Sequence, residues 1–156
     1  MRAVVQRVRS AHVEVDGSIV SSIGPGLLCL IGVKDTDQGA DAEYICKKIL
    51  KTRVFPQNDD SKRAAWDNDV VSHNGEVLLV SQFTLYARLK KPRPDFSKAM
   101  PPTQAKELYS QFVEMVQRDY IPEKVKDGVF GAMMNVTLEN DGPVTFILDS
   151  EADLAN

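Results

Sequence analysis

The sequence predicts an α+β fold, in which a curled, barrel-like and mainly antiparallel β-sheet is covered by two amphipathic helices. Strand-like segments outnumber helical ones, and the helical segments lie between groups of strands instead of alternating with every strand. The chain has 156 residues, of which 43% are hydrophobic and 26% are charged, a balance typical of one globular domain with one core. We therefore expect a single domain over residues 1–156.

The first 33 residues predict strands. Val13 and Val15 alternate with polar residues, Asp16-Gly17 is typical of a hairpin turn, and residues 19–23 form the return strand. Gly24-Pro25-Gly26 then separates this hairpin from the apolar run 27–31. An apolar run without polar interruption indicates a strand that is buried on both faces.

Two later segments have the periodicity of amphipathic helices. The first can be capped by Thr36 or Asp37 and ends near Arg53, and the second runs from Thr103 to about Tyr120. Their apolar residues recur every three or four positions and should face the sheet: Ala42, Ile45, Cys46, Ile49 and Leu50 in the first, and Ala105, Leu108, Tyr109, Phe112, Val116 and Tyr120 in the second.

The remaining segments complete the sheet. Residues 55–69 predict an exposed loop, with Trp66 packing back onto the body of the domain. Asn74-Gly75 predicts a turn into a strong strand over residues 76–86. Two final strands, about 132–139 and 144–149, flank Asn140-Asp141-Gly142-Pro143.

Charge and apolar patterning restrict the class of protein. A net charge of -3 gives no overall attraction to nucleic acid, yet residues 88–98 hold five basic residues against Asp95 alone. This basic loop is either a solvated surface or a phosphate-binding segment. No run is apolar enough for a signal peptide or a membrane span, and Cys29 and Cys46 lie in apolar patterns. We expect a cytosolic protein that has reduced cysteines and no membrane contact.

Familiar catalytic motifs are absent from the sequence. There is no phosphate-binding glycine loop, no Gly-x-Ser-x-Gly, no Cys-x-x-Cys and no His-Glu-x-x-His. His12 and His73 have no sequence neighbour that suggests a base or a metal ligand, so we interpret both as exposed structural residues and expect no metal and no other cofactor. The polar residues within 81–84 are either simple strand alternation or part of a site.

Two segments resemble the signature motifs of the D-aminoacyl-tRNA deacylase family: Ser81-Gln82-Phe83-Thr84-Leu85 and Asn140-Asp141-Gly142-Pro143-Val144-Thr145. The resemblance extends to residues 1–8, 26–28, 94–99 and 131–136 and so covers nearly the whole chain. It implies a homodimer that hydrolyses the ester of D-aminoacyl-tRNA, or of mischarged glycyl-tRNA, and thereby keeps D-amino acids out of translation.

The resemblance also implies roles for individual residues. The catalytic segment is Ser81, Gln82, Phe83 and Thr84, whose main-chain amides around Phe83 and Thr84 stabilise the oxyanion while the 2′-hydroxyl of the tRNA helps to activate water. A cis Gly142-Pro143 element, braced by Arg7, enters the site of the partner subunit and rejects L-amino acids. Phe96 and Met134 either pack against the terminal adenine or are core residues, and Lys90, Lys91 and Arg93 hold tRNA phosphates.

Two other functions remain open on the sequence alone. One is a nucleic-acid-binding module that needs no hydrolysis, and the other is an esterase that uses the hydroxyl of Thr84 or Ser81 as nucleophile. The lack of a neighbouring base disfavours the second, and the negative net charge disfavours the first.

Overall fold

The computed structural model describes residues 1–57 and 66–154, without the side chains of residues 153 and 154. The strands are β1 (Arg2–Val15), β2 (Ser18–Ile23), β3 (Gly26–Gly32), β4 (Phe55–Pro56), β5 (Trp66–Asn68), β6 (Glu76–Ser81), β7 (Val125–Asp127) and β8 (Asn135–Asp149). The helices are α1 (Gly39–Lys51), α2 (Pro102–Asp119) and the short α3 (Ser150–Leu154), with single 3₁₀ turns at Phe83–Tyr86 and Pro122–Lys124.

One strand organises the main sheet. β1 pairs antiparallel with β3 through its first half, with β2 through its second half, and with β8 along its other edge. The order β2-β1-β3-β6-β7 is completed by parallel pairing of β3 with β6 and of β6 with β7. The predicted α+β, barrel-like fold is confirmed, with a sheet that is mixed instead of wholly antiparallel.

The sheet is buried on both faces where β3 and β6 pair. Leu27, Cys29 and Ile31 lie in the core beneath the helices, whereas Leu28 lies in a second core on the opposite face. Helix α1 packs through the five apolar residues predicted from its periodicity, and α2 through Ala105, Tyr109, Phe112, Val113 and Val116. Cys29 and Cys46 are buried free thiols, and burial raises the pKa of Cys46 to about 12.

Two predicted turns are present with the expected backbone. Asp16 and Gly17 have φ of 50° and 80°, as a two-residue hairpin turn requires, and Asn74 has φ of 58°. The predicted cap of α1 is wrong, because Gln38 takes the N-cap position. The carboxylate of Asp37 instead accepts the backbone N–H of Lys34 at 2.6 Å and binds the Met1 ammonium.

Several strand predictions need correction. β6 ends at Ser81 instead of Tyr86, because the N–H of Gln82 makes a last bond to Ile31 O at 2.7 Å and the chain then turns. The two predicted C-terminal strands form one strand, β8, whose pairing with β1 is irregular near residues 140–144. Neither β7 nor the β4–β5 pair was predicted.

The prediction for Trp66 is also wrong. Trp66 pairs with Pro56 through its backbone and leaves 53% of its surface exposed. The centre of that predicted loop, residues 58–65, lies outside the described residues. Within the described ranges, no helix has the length and apolar character needed to cross a membrane.

Candidate active site

The candidate site is centred on the 3₁₀ turn Phe83–Tyr86, which follows β6. The N–H groups of Phe83 and Thr84 come first in this turn, so no preceding carbonyl of the helix is placed to accept them. Neither group donates to a backbone carbonyl in the part of the chain that the structure describes. Phe83 is 58% exposed and Thr84 is exposed, so the turn lies at the surface.

The side chains of this segment contain no general base. Gln82 donates its amide to the hydroxyl of Thr84, and Ser81 is half-buried at the end of β6. His12 lies in the middle of β1, opposite Ser22 and Thr137. Among the described residues, no group of three His, Cys, Asp or Glu side chains could hold a metal ion.

His73 lies beyond the opposite end of β6. It is half-buried and stacks on Phe55 with the ring centroids 4.3 Å apart, so the prediction that it is an exposed residue is wrong. Burial and the nearby Arg7 guanidinium lower its pKa. These contacts give His73 a structural role away from the turn.

Gly32, the last residue of β3, allows the turn to lie directly against the sheet. A Cβ atom at this position would lie 2.9 Å from Cβ of Leu85 and 3.2 Å from the carbonyl oxygen of Gln82. Contacts below 3.0 Å force something to move. Sequence reasoning missed this residue, although a glycine that ends a buried apolar strand is a signal of close backbone approach.

The basic loop begins directly after the turn and is fixed at both ends. Arg88 and Asp95 exchange backbone hydrogen bonds of 2.8 and 3.0 Å, and Met100 N–H donates to Val33 O at 3.0 Å beside the end of β3. Hydrogen bonds from Ser97 to the Asp95 carboxylate lower the pKa of Asp95. The loop is therefore held beside the candidate site.

Three cations at the tip of this loop, Lys90, Lys91 and Arg93, form what we call the basic triad. All three are exposed, and none pairs with an acid in the described parts of the chain. Lys98, in contrast, lies 3.5 Å from the carboxylate of Asp35. The basic triad is thus available to bind an anion from outside.

The structure brings one of the two predicted adenine-packing residues to the turn. The ring of Phe96 meets the ring of Phe83 edge to face, with the centroids 4.9 Å apart, and 37% of Phe96 is exposed. Met134 is half-buried and packs against the inner core, and its sulfur accepts the N–H of Val129 at 3.5 Å. Met134 therefore has the core-packing role that was the alternative to adenine packing.

The second predicted segment, around Gly142 and Pro143, forms an exposed tip within β8. The peptide bond between these two residues is cis, as predicted. Asn140 closes the tip, since its side-chain oxygen accepts the N–H of Val144 at 2.8 Å and its amide donates to Thr145 Oγ1 at 2.9 Å.

Arg7 braces this tip from β1. Its Nε donates to the carbonyl oxygen of Asp141 at 3.2 Å and also lies 3.2 Å from the Asp141 carboxylate. Its Nη1 donates to the carbonyl oxygen of Val54 at 2.5 Å, and only 12% of the side chain is exposed. The bracing contact expected of Arg7 is therefore present, and no role in binding follows from these contacts alone.

Within the chain the tip and the turn are far apart. The turn leaves the sheet at the level of Ala3, which pairs with Ile31, whereas the tip lies at the level of Arg7. Four residues of a strand span roughly 13 Å. Two further strands, β1 and β3, lie between β8 and β6. The tip is therefore not positioned over the turn of the same chain.

Comparison with solved structures places the fold. A solved structure of a protein called "c-Myc DNA Unwinding Element Binding Protein" is 46% identical, with a TM-score of 0.90, over 96% of this chain and 98% of the other. A probable eukaryotic D-amino acid tRNA deacylase superposes with a TM-score of 0.79 at 18% identity, over 94% and 97% of the two chains. The second comparison concerns the fold alone, and together they define a class of small barrel-like α+β proteins.

Comparison of sequences is more specific. Proteins named D-aminoacyl-tRNA deacylase from Drosophila melanogaster and Dictyostelium discoideum are 51% and 48% identical to this chain. The alignments cover 96% and 97% of this chain and 92% and 99% of the relatives. Residues 4–149 match the family described as D-Tyr-tRNA(Tyr) deacylase. The chain belongs to this family of hydrolases.

Proposed function

We propose that this protein hydrolyses the ester bond of D-aminoacyl-tRNA, and of glycine attached to the wrong tRNA, in the cytosol. Water adds to the ester carbonyl, the bond to the terminal ribose oxygen breaks, and the free amino acid and tRNA leave. The observation that carries the proposal is the pair of N–H groups on the exposed residues Phe83 and Thr84, which have no backbone acceptor among the described residues. Such donors stabilise the anion that develops on the carbonyl oxygen.

Water activation is assigned to the substrate. The Thr84 hydroxyl contacts the amide of Gln82, which is not a base, and neither histidine lies at the turn. The ribose 2′-hydroxyl next to the ester is then the group best placed to orient the attacking water. Thr84 and Ser81 are accordingly not nucleophiles in this proposal.

Recognition of the tRNA is assigned to the basic loop and to the aromatic pair beside it. The basic triad holds acceptor-stem phosphates through charge, without reading sequence. Phe96 stacks on the terminal adenine next to the turn.

Rejection of L-amino acids is assigned to the Gly142-Pro143 tip of a partner subunit. Because the tip lies away from the turn of its own protomer, a homodimer is the arrangement that brings the two together. Backbone atoms beside the α-carbon would crowd an L side chain, whereas a D side chain points away and glycine has no side chain. Arg7 keeps the tip in place through Asp141.

A second candidate function is binding of nucleic acid without hydrolysis. The solved relative at 46% identity is named for binding to a DNA unwinding element, and its name favours this alternative. The basic triad would serve either function, whereas hydrolysis in addition needs donors for an oxyanion, which the amides of the turn can supply.

The test is an assay of ester loss from D-tyrosyl-tRNA, L-tyrosyl-tRNA and glycyl-tRNA, with a 2′-deoxy terminal adenosine as a further substrate. We expect loss of the D and glycyl esters, protection of the L ester, and a large decrease in rate with the deoxy substrate. Thr84→Ala should lower the rate modestly, because loss of a true nucleophile costs on the order of 10⁶-fold. Retained tRNA binding with no ester loss would favour the second candidate, and an inactive, folded Thr84→Ala would favour an esterase mechanism.

A further inference from the structure

Arg2, the first residue of β1, contacts the candidate oxyanion turn at its carbonyl end. The N–H groups of Phe83 and Thr84 lie at the other end of the turn. Its Nη1 donates to the carbonyl oxygen of Leu85 at 2.9 Å, and its Cζ lies 4.9 Å from the centroid of the Tyr86 ring. One guanidinium therefore touches two of the four residues in the turn Phe83–Tyr86.

The same guanidinium is fixed from behind by Asp149 at the end of β8. Nε and Nη2 of Arg2 donate to Asp149 Oδ2 at 2.9 and 2.7 Å. Although burial acts in the opposite direction, the hydrogen bond and charge of Arg2 lower the pKa of Asp149. The other carboxylate oxygen of Asp149 accepts the N–H of Glu151 at 3.1 Å, so the carboxylate is itself held by α3.

These contacts complete the support of the turn. On one side, Gln82 N–H is bonded to Ile31 O and Gly32 allows close approach of Leu85. On the other side, the Leu85 carbonyl points to Arg2, which supplies the donor that a helix end lacks. The turn that contains the N–H groups of Phe83 and Thr84 is therefore held on both sides.

We propose that Arg2 is a positioning residue for hydrolysis, which holds the turn so that the Phe83 and Thr84 amides aim at the oxyanion. This inference rests on the proposed function. Arg2 acts through Leu85 and Tyr86 and does not touch the substrate. Its planar fork can bond Leu85 and Asp149 at once, a geometry that the single ammonium of lysine does not reproduce.

The test compares Arg2→Met and Arg2→Lys with the parent in D-tyrosyl-tRNA hydrolysis, with melting temperatures measured in parallel. We expect Arg2→Met to lower kcat by roughly 10- to 100-fold with KM little changed, because small misplacements of aligned groups cost that much. Arg2→Lys should recover the melting temperature through its pair with Asp149 and still keep a reduced kcat.

The matched control is Lys34→Met. Lys34 pairs with Glu151 at 2.7 Å beside the same helix α3, and within the described residues no hydrogen bond or ion pair joins its side chain to the turn. Lys34→Met removes one positive charge, as Arg2→Met does, but leaves the turn unchanged. The kcat and KM of Lys34→Met should therefore equal those of the parent. An equal loss in Lys34→Met would show that net charge, not positioning, sets the rate and would overturn the proposal.

Two further results would also overturn it: a folded Arg2→Met with the kcat of the parent, or an Arg2→Lys that regains stability and kcat together. The Lys variant decides the matter if Arg2→Met does not fold. A parent protein that hydrolyses no D-tyrosyl-tRNA contradicts the proposed function instead, and the two failures are thus distinguishable.

Discussion

Replacing Gly32 with alanine should separate activity from stability. The new Cβ would lie 2.9 Å from Cβ of Leu85, about 0.5 Å short of the ordinary contact distance that begins at 3.4 Å. Since β3 is buried between β1 and β6, the exposed turn is the part that must yield. Overpacking of this size costs roughly 1–3 kcal/mol of stability.

A shift of this size acts directly on the amides of Phe83 and Thr84. In the proposed mechanism these amides are the two oxyanion donors. Loss of one such donor lowers kcat by roughly 10²–10³-fold, so a displacement of about 0.5 Å in both should cost about tenfold or more. The assay is the rate of D-tyrosyl-tRNA hydrolysis at saturating substrate, together with urea unfolding.

Gly39→Ala is the matched control for Gly32→Ala. A Cβ at Gly39 meets nothing within 4 Å at the start of α1, so both activity and stability should be retained. A Gly32→Ala protein that hydrolyses at the rate of the parent would refute the idea that the turn needs this close approach.

Three further predictions concern binding, stability and selectivity. Neutralising the whole basic triad should weaken tRNA binding for all tRNAs alike and reduce the slope of log K against log salt by up to about 3. Unchanged affinity would show that the loop is a solvated surface that does not bind phosphates. Tyr109→Phe should cost about 1–3 kcal/mol at pH 7 and less at pH 4 in urea unfolding. Burial raises the pKa of Asp127, and the hydrogen bond from Tyr109 opposes that rise by stabilising the ionised carboxylate. Loss of this bond raises the pKa further, so the stability cost is present where Asp127 is ionised in the folded state and fades as the pH falls. The hydroxyl of Tyr120 donates to the carbonyl oxygen of Gly75, which does not titrate, so the stability cost of Tyr120→Phe should show no such pH dependence. Gly142→Ala places a Cβ 2.7 Å from Val144 Cγ2 at a φ of 132°, and the preference for D over L esters should fall by roughly tenfold; an unchanged ratio of the two rates would contradict the role assigned to the tip.

The sequence predicts the elements whose cause is local. The hairpin at Asp16-Gly17 follows from two residues that tolerate positive φ, and the helices follow from apolar periodicity that the packing of Ile45 and Phe112 confirms. The burial of β3 on both faces follows from its uninterrupted apolar run.

The elements that were missed depend on distant contacts. Phe83, Thr84 and Tyr86 all favour strands, whereas the close approach of Gly32 and the bond from Arg2, both distant in sequence, support that segment as a turn. For the same reason, the site could be identified in sequence only through family motifs. The short β7 has too few residues for a periodic signal and is defined by its parallel partner, β6.

The pairing of β1 with β8 has a consequence for how the chain folds. The contact between Arg2 and Asp149 joins residues 147 positions apart. One whole edge of β1 can pair only with β8, which is synthesised after every other strand of the sheet. Pairings of such long sequence separation are slow to form, because the entropy of closing the loop is lost before any contact is gained. A nascent chain that ends before residue 135 leaves an unpaired edge 14 residues long, which is a site for aggregation. Because the same pairing sets Arg2 against the turn, catalytic competence should arise at the end of folding, and partly made chains should have none.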